Sequence, residues 1–316
     1  MSNPDTSLQL TRRQALACAA IPAIPISAPR RPVRGPLLCL NTATLRSARM
    51  PLERLLVLAA ECGYAAIEPW AHEVDAAVLR LGGPAALRRA AERNGVAIAC
   101  VIAFPEWAVD DDARRRSGLE TARRVAELVA ALGCRWMAAP PAGATDAPVS
   151  LARLAERYHA LVSVCQPAGV RPLMEIWGFS ATLRTLGEAL QVAALSAVDR
   201  PAILADVYHL IRGGSPPAGL ALLAGDASPV FHMNDVPAGT PPDRLTDPQR
   251  VLPSDGSAPL DRMVADLLAN GFNGVLSLEL FRDDLWGMEP AELARAGSRR
   301  MAAILTRSRR MANSRS

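Results

Sequence analysis

From Leu37 to Leu305 the chain repeats one unit, a short apolar run of strand length followed by an amphipathic stretch of helical length. This alternation constrains the fold most, because strands covered by helices between them pair in parallel and are buried on both faces. The strand runs are LLCLNT from Leu37, YAAIEPW from Tyr64, VAIACVIAF from Val96, RWMAAP from Arg135, RPLMEIW from Arg171, AILADVY from Ala202, PVFHMND from Pro229 and GVLSLEL from Gly274. Helices are expected at 51–62, 75–94, 111–132, 148–168, 182–197, 216–225, 259–270 and 289–305. Pro51 sits where a first helical turn tolerates it, and Gly63, Gly95, Gly133 and Gly271 follow helix ends. Eight strand–helix units in roughly 270 residues predict an α/β fold of one domain, the (β/α)8 TIM barrel, over residues 36–305. An open doubly wound sheet competes, but no glycine-rich dinucleotide fingerprint follows LLCLNTATL.

The two ends read differently. Thr11, Arg12 and Arg13 precede a weakly apolar stretch from Ala15 to Ala28, broken by Pro22 and Pro25. Residues 1–28 resemble a twin-arginine export signal, which implies a periplasmic location, with 29–35 as linker; a disordered basic tail and a cytoplasmic protein are the alternative. Residues 306–316 read as a solvated basic tail. No apolar run reaches the roughly 18 residues that span a bilayer, so no membrane partner is expected.

All 35 basic residues are arginine. Without a lysine, neither Schiff-base chemistry nor a Walker-type phosphate loop is available. Between Pro36 and Ser298, 24 arginines face 30 acidic residues, so the formal +4 hides a core of −6 and nucleic acid is not an expected partner. The cysteines, Cys18, Cys39, Cys62, Cys100, Cys134 and Cys165, share no two-residue spacing and fall in apolar segments. Removal of the signal, with Cys18, would leave five, an odd set that reads as free buried thiols, a pattern compatible with folding before twin-arginine export.

Charged residues near the C-terminal ends of buried barrel strands need a reason, since unpaired ionic groups there cost several kcal/mol each. Glu68, Glu175, Asp206, His209, His232, Asn234, Asp235 and Glu279 all fall at such ends. Glu175, Asp206, His232 and Glu279, from four successive strands, offer oxygen and imidazole donors for one divalent metal ion, Mn, Mg, Co, Fe or Zn; a salt-bridge network with arginine is the structural alternative. His209 could bond a substrate oxygen, His72 lies just past Glu68, and His159 sits within a helix as a structural residue. Trp70, Trp107, Trp177 and Trp286 fall in loops after strands, where rings serve either as ligand platforms or as packing. The Asp110–Asp112 triplet before Arg114 reads as helix-dipole compensation.

MEIW, LADVYHLIRGGS, FHMNDVP and RVLPSDGSAPLDRMVADLLANGFNGVLSLELF together resemble the xylose isomerase-like TIM barrels, over Leu37 to about Leu305. The resemblance implies that Glu175, Asp206, His232 and Glu279 bind the metal and that His209 contacts substrate. It departs at Ser254, where many relatives have glycine, and at the substrate-contacting arginine after the strand-seven histidine, for which only the distant Arg244 offers itself. It also implies proton abstraction beside a carbonyl through a metal-bound enediolate, with Glu175 and Glu279 as catalytic residues. His209, Glu68, Trp70, Trp177 and Asn234 would bind substrate, a small carbohydrate or polyol. The expected function is a sugar or polyol isomerase or epimerase. A lyase on the same scaffold, an inosose-type dehydratase or a 3-keto-glycoside eliminating enzyme, is the alternative, and a non-catalytic sugar-binding protein a second one. A homo-oligomer is compatible with this reading.

Overall fold

The computed structural model describes residues 35–314, so residues 1–28 and all of the linker but Gly35 lie outside the described residues. Among the described residues the apolar runs form nine short parallel strands: β1 Leu37–Asn41, β2 Ala66–Glu68, β3 Ala97–Ile98, β4 Val101–Ile102, β5 Trp136–Ala139, β6 Arg171–Glu175, β7 Ala202–Asp206, β8 Val230–Met233 and β9 Val275–Leu278. Their order, β3-β2-β1-β9-β8-β7-β6-β5-β4, follows the chain around a nearly closed barrel. Strands β3 and β4 are two pieces of the single run expected from Val96. The first pairs with β2 and the second with β5, so this run joins the two ends of the ring.

The barrel interior alternates small and branched side chains. Cys39, Ala66, Cys100, Ala138 and Ala202 pack with Ile102, Leu173, Leu204, Val230 and Val275 in one buried cluster. That alternation fills a tapering interior. The outer layer is helical: α1 Leu52–Glu61, α2 Ala71–Leu81, α3 Pro84–Asn94, α4 Asp112–Ala131, α5 Leu151–Cys165, α6 Leu186–Leu195, α7 Val207–Gly213, α8 Leu260–Ala269 and α9 Pro290–Asn313. Helix α4 shows why the sequence makes such elements. Gly118, Ala122, Val125, Ala126 and Val129 bury one stripe at helical spacing, and the Asp111 carboxylate caps the first turn by accepting from the Arg114 N–H.

The structure corrects four sequence expectations. The helix expected over 75–94 is two helices, because Gly82 and Gly83 take φ of 80° and 138° and Pro84 then restarts the helix. The segment 216–225 holds a 3-10 turn, Pro217–Leu222, and the α-helix of that unit is α7, which starts directly at the end of β7. The helix expected to open near Thr182 starts at Leu186, where Thr185 and Glu188 form a capping box. The expected basic tail is largely helix: α9 runs to Asn313, Ser308 is buried, and Arg307 pairs with Asp261.

Candidate active site

The acidic strand ends meet at one rim of the barrel. Glu175 closes β6, Asp206 closes β7, His232 lies within β8 and Glu279 follows β9, and these four strands are neighbours in the sheet. Glu175, His232 and Glu279 each offer a ligand atom within 4.8 Å of the others, and all three are buried. Nδ1 of His232 is fully enclosed and makes no hydrogen bond, although it lies 3.1 Å from Glu279 Oε2 and 3.7 Å from Asp206 Oδ2. Its other nitrogen, Nε2, is 3.0 Å from Glu68 Oε2. A buried imidazole that donates its far N–H to a carboxylate and keeps its near lone pair unpartnered has the arrangement of a metal ligand.

Asp206 stands beside this triad with both oxygens engaged. Its Oδ1 accepts the His209 N–H at 2.8 Å, capping α7, while Oδ2 accepts from Asn234 Nδ2 at 2.9 Å and Arg250 Nη1 at 2.8 Å. Arg250 is the functional residue that the sequence reading missed. Its buried guanidinium also donates to Glu279 Oε2 at 2.8 Å and to Asp247 Oδ1 at 2.7 Å, and it lies 4.4 Å from the Tyr208 ring centroid. The residue opens the RVLPSDG run, and a long excursion from Asp235 to Val251 brings it back, closed by an antiparallel bridge between those two residues. An arginine just before an apolar run that ends in turn residues was the available signal.

Packing this many acids together perturbs their protonation. Burial, reinforced by Glu279, Asp206 and Glu68 against His232, pushes the Glu175 carboxyl up to about 8. For Glu279 burial also pushes upward, but His232 and Arg250 outweigh it and hold the group well below the usual carboxylate range. For His232 burial disfavours the cation, and Glu279 and Glu68 overcome it, raising the ring well above its ordinary value. Glu175 and His232 are both driven toward the proton-bound form, the response of a carboxylate cluster that calls for positive charge. The donor set therefore fits a divalent cation, of oxygen-preferring or borderline character.

The remaining expected site residues divide between the mouth and the layer beneath it. Trp70, Trp177 and His209 line a cavity of about 310 Å³ together with Glu175 and Glu279. The His209 ring is kept neutral by burial and by Arg250. Its Nδ1 is 3.2 Å from the Gly178 N–H and its Nε2 is 3.2 Å from Arg250 Nη2; a neutral ring has one lone pair, so only one of these contacts is a hydrogen bond. Glu68 and Asn234 do not reach the cavity. Glu68 is wholly buried, its Oε2 taken by His232, Ser277 Oγ at 2.7 Å and Asn41 Nδ2 at 3.3 Å, so it holds the histidine where substrate contact was expected. Asn234 is equally buried and ties Asp206 to the Tyr208 N–H, 2.9 Å from its Oδ1.

Three more residues fall as packing or capping groups. Trp107 is buried and donates Nε1 to the Ala139 and Pro140 carbonyls, a packing role. His159 Nδ1 meets the Ser196 carbonyl at 3.0 Å on the outer layer. Asp235 gathers the N–H groups of Val236, Ser254, Gly256 and Ala258, fixing the loop that follows Arg250.

With that geometry in place, comparison with known proteins is direct. Residues 56–304 match the sequence profile described as xylose isomerase-like TIM barrel. The chain belongs to the xylose isomerase-like TIM barrel family. Within it, the chain is 31% identical to an inosose isomerase of Halalkalibacterium halodurans over 135 residues, 42% of this chain and 47% of that protein. It is 26% identical to a 3-dehydroshikimate dehydratase of Pseudomonas aeruginosa over 204 residues, 64% of this chain and 32% of that protein. The chain thus spans about half the length of the inosose isomerase that it matches. Among solved structures of the fold, IOLI protein with a bound zinc atom superposes with a TM-score of 0.79 at 21% identity, covering 86% of this chain and 99% of that one. L-ribulose 3-epimerase superposes with a TM-score of 0.70 at 20% identity, covering 89% and 98%. The sequence relatives named here are an inosose isomerase and a dehydratase.

Proposed function

We propose that this chain is a metal-dependent sugar or polyol isomerase or epimerase that abstracts a proton beside a carbonyl. The observation that carries the reading is the convergence of Glu175, His232 and Glu279 around an enclosed, unpartnered imidazole nitrogen. Glu175, His232 and Glu279, with Asp206 at their side, would hold one divalent ion, Mn, Mg, Co, Fe or Zn. When bound, that ion supplies positive charge to a carbonyl and neighbouring hydroxyl oxygen, lowering the cost of losing the adjacent C–H proton.

The chain's own residues do the rest. Glu175 and Glu279 take and return the proton, a role suited to two carboxyls whose affinities for protons are driven apart. Return to the opposite face gives epimerisation, and return to the neighbouring carbon gives isomerisation. His209, Trp70 and Trp177 orient the substrate in the mouth, while Glu68 and Asn234 hold His232 and Asp206 in place.

The match to a 3-dehydroshikimate dehydratase supports elimination as a second reading. There the proton leaves to one carboxylate, a hydroxyl β to the carbonyl departs with a proton from the other, and water and an enone result. Incubation in heavy water with ketoses, inososes and 3-keto glycosides tests both, after elemental analysis of the purified protein. Deuterium at carbon is expected, with an ultraviolet-absorbing enone only if elimination runs. Absence of both exchange and enone in every substrate class would sink both readings and leave a sugar-binding protein. Glu175→Gln and Glu279→Gln should each lower turnover by about 10²–10⁴-fold, the usual size of a positioned proton-transfer group, with the fold intact. Near-normal activity in either would remove that residue from the mechanism.

We also propose export by the twin-arginine route to the periplasm. The Thr11-Arg12-Arg13 run supports it, and five buried free thiols are compatible with folding in a reducing compartment first. Subcellular fractionation of the Arg12→Lys/Arg13→Lys double variant should show retention in the cytoplasm; unchanged distribution argues for a plain basic tail.

A further inference from the structure

We propose that the substrate of this site carries a flat aromatic group next to its carbonyl-bearing polyol part, and that this group seats in the ring-lined mouth. The proposal rests on the enzymatic reading above and adds the substrate class. The whole chain has only 5 Trp, 3 Tyr and 5 Phe. Five of these rings, Trp70, Phe104, Trp177, Phe179 and Phe281, line the one cavity that also contains Glu175 and Glu279. They come from four separate strand-end loops, after β2, β4, β6 and β9. They form an unbroken arc, with successive centroids 6.5 Å apart from Phe281 to Trp70, 5.0 Å to Phe104, 6.1 Å to Trp177 and 5.3 Å to Phe179. Phe104 and Phe179 are 40% and 39% exposed, among the few large apolar side chains left open in the described residues. Open rings facing a reaction chamber are a binding surface, because packing alone would have covered them.

The chemistry of that surface selects its occupant. A bare sugar can lay one face on one ring, but hydroxyls project around its rim and need partners once desolvated. Along the arc those partners are few: His209, and Arg46, whose guanidinium already lies over the Trp70 and Phe281 rings, 5.2 and 5.1 Å from their centroids. Asp247 and Arg250 already bind each other. A planar aryl substituent has π faces and no rim hydroxyls, so it matches an arc of rings in offset and edge-to-face contact while the polyol part keeps the carboxylates.

The test is calorimetric binding to metal-loaded, full-length protein of 4-nitrophenyl and methyl glycosides, in the gluco, galacto and manno series, none of which carries the reacting carbonyl. In at least one series the aryl glycoside should bind about tenfold more tightly than its methyl partner, and Phe104→Ala/Phe179→Ala should cut that preference to under about threefold. Equal affinities in every series, a preference that survives the double substitution, or no binding of any aryl glycoside overturns the proposal. Solvent deuterium uptake by ketoses is read independently, so loss of the enzymatic reading and loss of the aryl preference are separate results.

Discussion

Glu68 and Arg250 set the properties of the strand-end cluster without belonging to the ligand set first read from the sequence. Glu68 fixes which nitrogen of His232 faces the site, so Glu68→Gln should weaken divalent-metal affinity by about 10–100-fold, measured by competition with a chelating dye; unchanged affinity would show that the hydrogen bond does not tune the ring. Arg250 neutralises Asp206 and Glu279 together. Removing one partner of such a buried cluster strands the others, so Arg250→Met should cost about 3–5 kcal/mol in denaturant titrations with chelator present. Saturating Mn²⁺ should recover more stability in the variant than in the parent, since the ion takes over the missing charge. Identical midpoints in chelator would rule out the bridging role. The strand-end cluster itself was legible because a charge in an apolar strand is conspicuous. Arg250 was not, because its loop lies far from His232 in sequence and only the closed bridge between Asp235 and Val251 brings it home.

At the scale of elements, the loop after β6 carries Trp177 and Phe179 and presses against α7, which carries His209. Contact is backbone to backbone: a Cβ on Gly178 would meet the His209 carbonyl oxygen at 2.2 Å and the Gly213 nitrogen at 2.6 Å. Gly178→Ala must therefore push loop and helix apart, costing about 1–3 kcal/mol and loosening ligand binding more than metal binding, as paired calorimetric titrations would show. Equal losses for both would mean general destabilisation. Ser254 is the opposite case. It holds φ of 74°, in the left-handed region that favours glycine, and Ser254→Gly should raise stability by about 1 kcal/mol in thermal melts, with no gain counting against backbone strain. Strand positions were readable from apolar runs, but several helix boundaries were not, two of them for plain reasons. The helical stripe continues across Gly82 and Gly83, which masks the break, and α7 follows β7 without a polar linker, so its first residues, Val207 and Tyr208, read as a continued strand.

For the molecule as a whole, the barrel's small interior residues tie stability to pH through its thiols. Cys39 and Cys100 fill the interior, and burial raises both well above the ordinary thiol range; burial likewise pushes Cys134 up to about 11 and Cys165 up to about 12. In the unfolded chain these groups ionise near pH ~8.5. A raised folded value means that the native state keeps the proton longer, so this contribution is complete below about pH 8.5 and is lost as pH climbs toward 11–12. Unfolding free energy should fall between about pH 9 and 10.5 by up to ~1.4 kcal/mol per pH unit for each titrating thiol. Cys134→Ala/Cys165→Ala should flatten that slope even if it lowers stability at neutral pH. At pH 8 a thiol reagent should reach no more than Cys18 in the native protein, because the other five are buried and protonated there. A flat alkaline profile, or rapid labelling of several native thiols, would mean that the barrel opens to solvent far more readily than its filled interior implies.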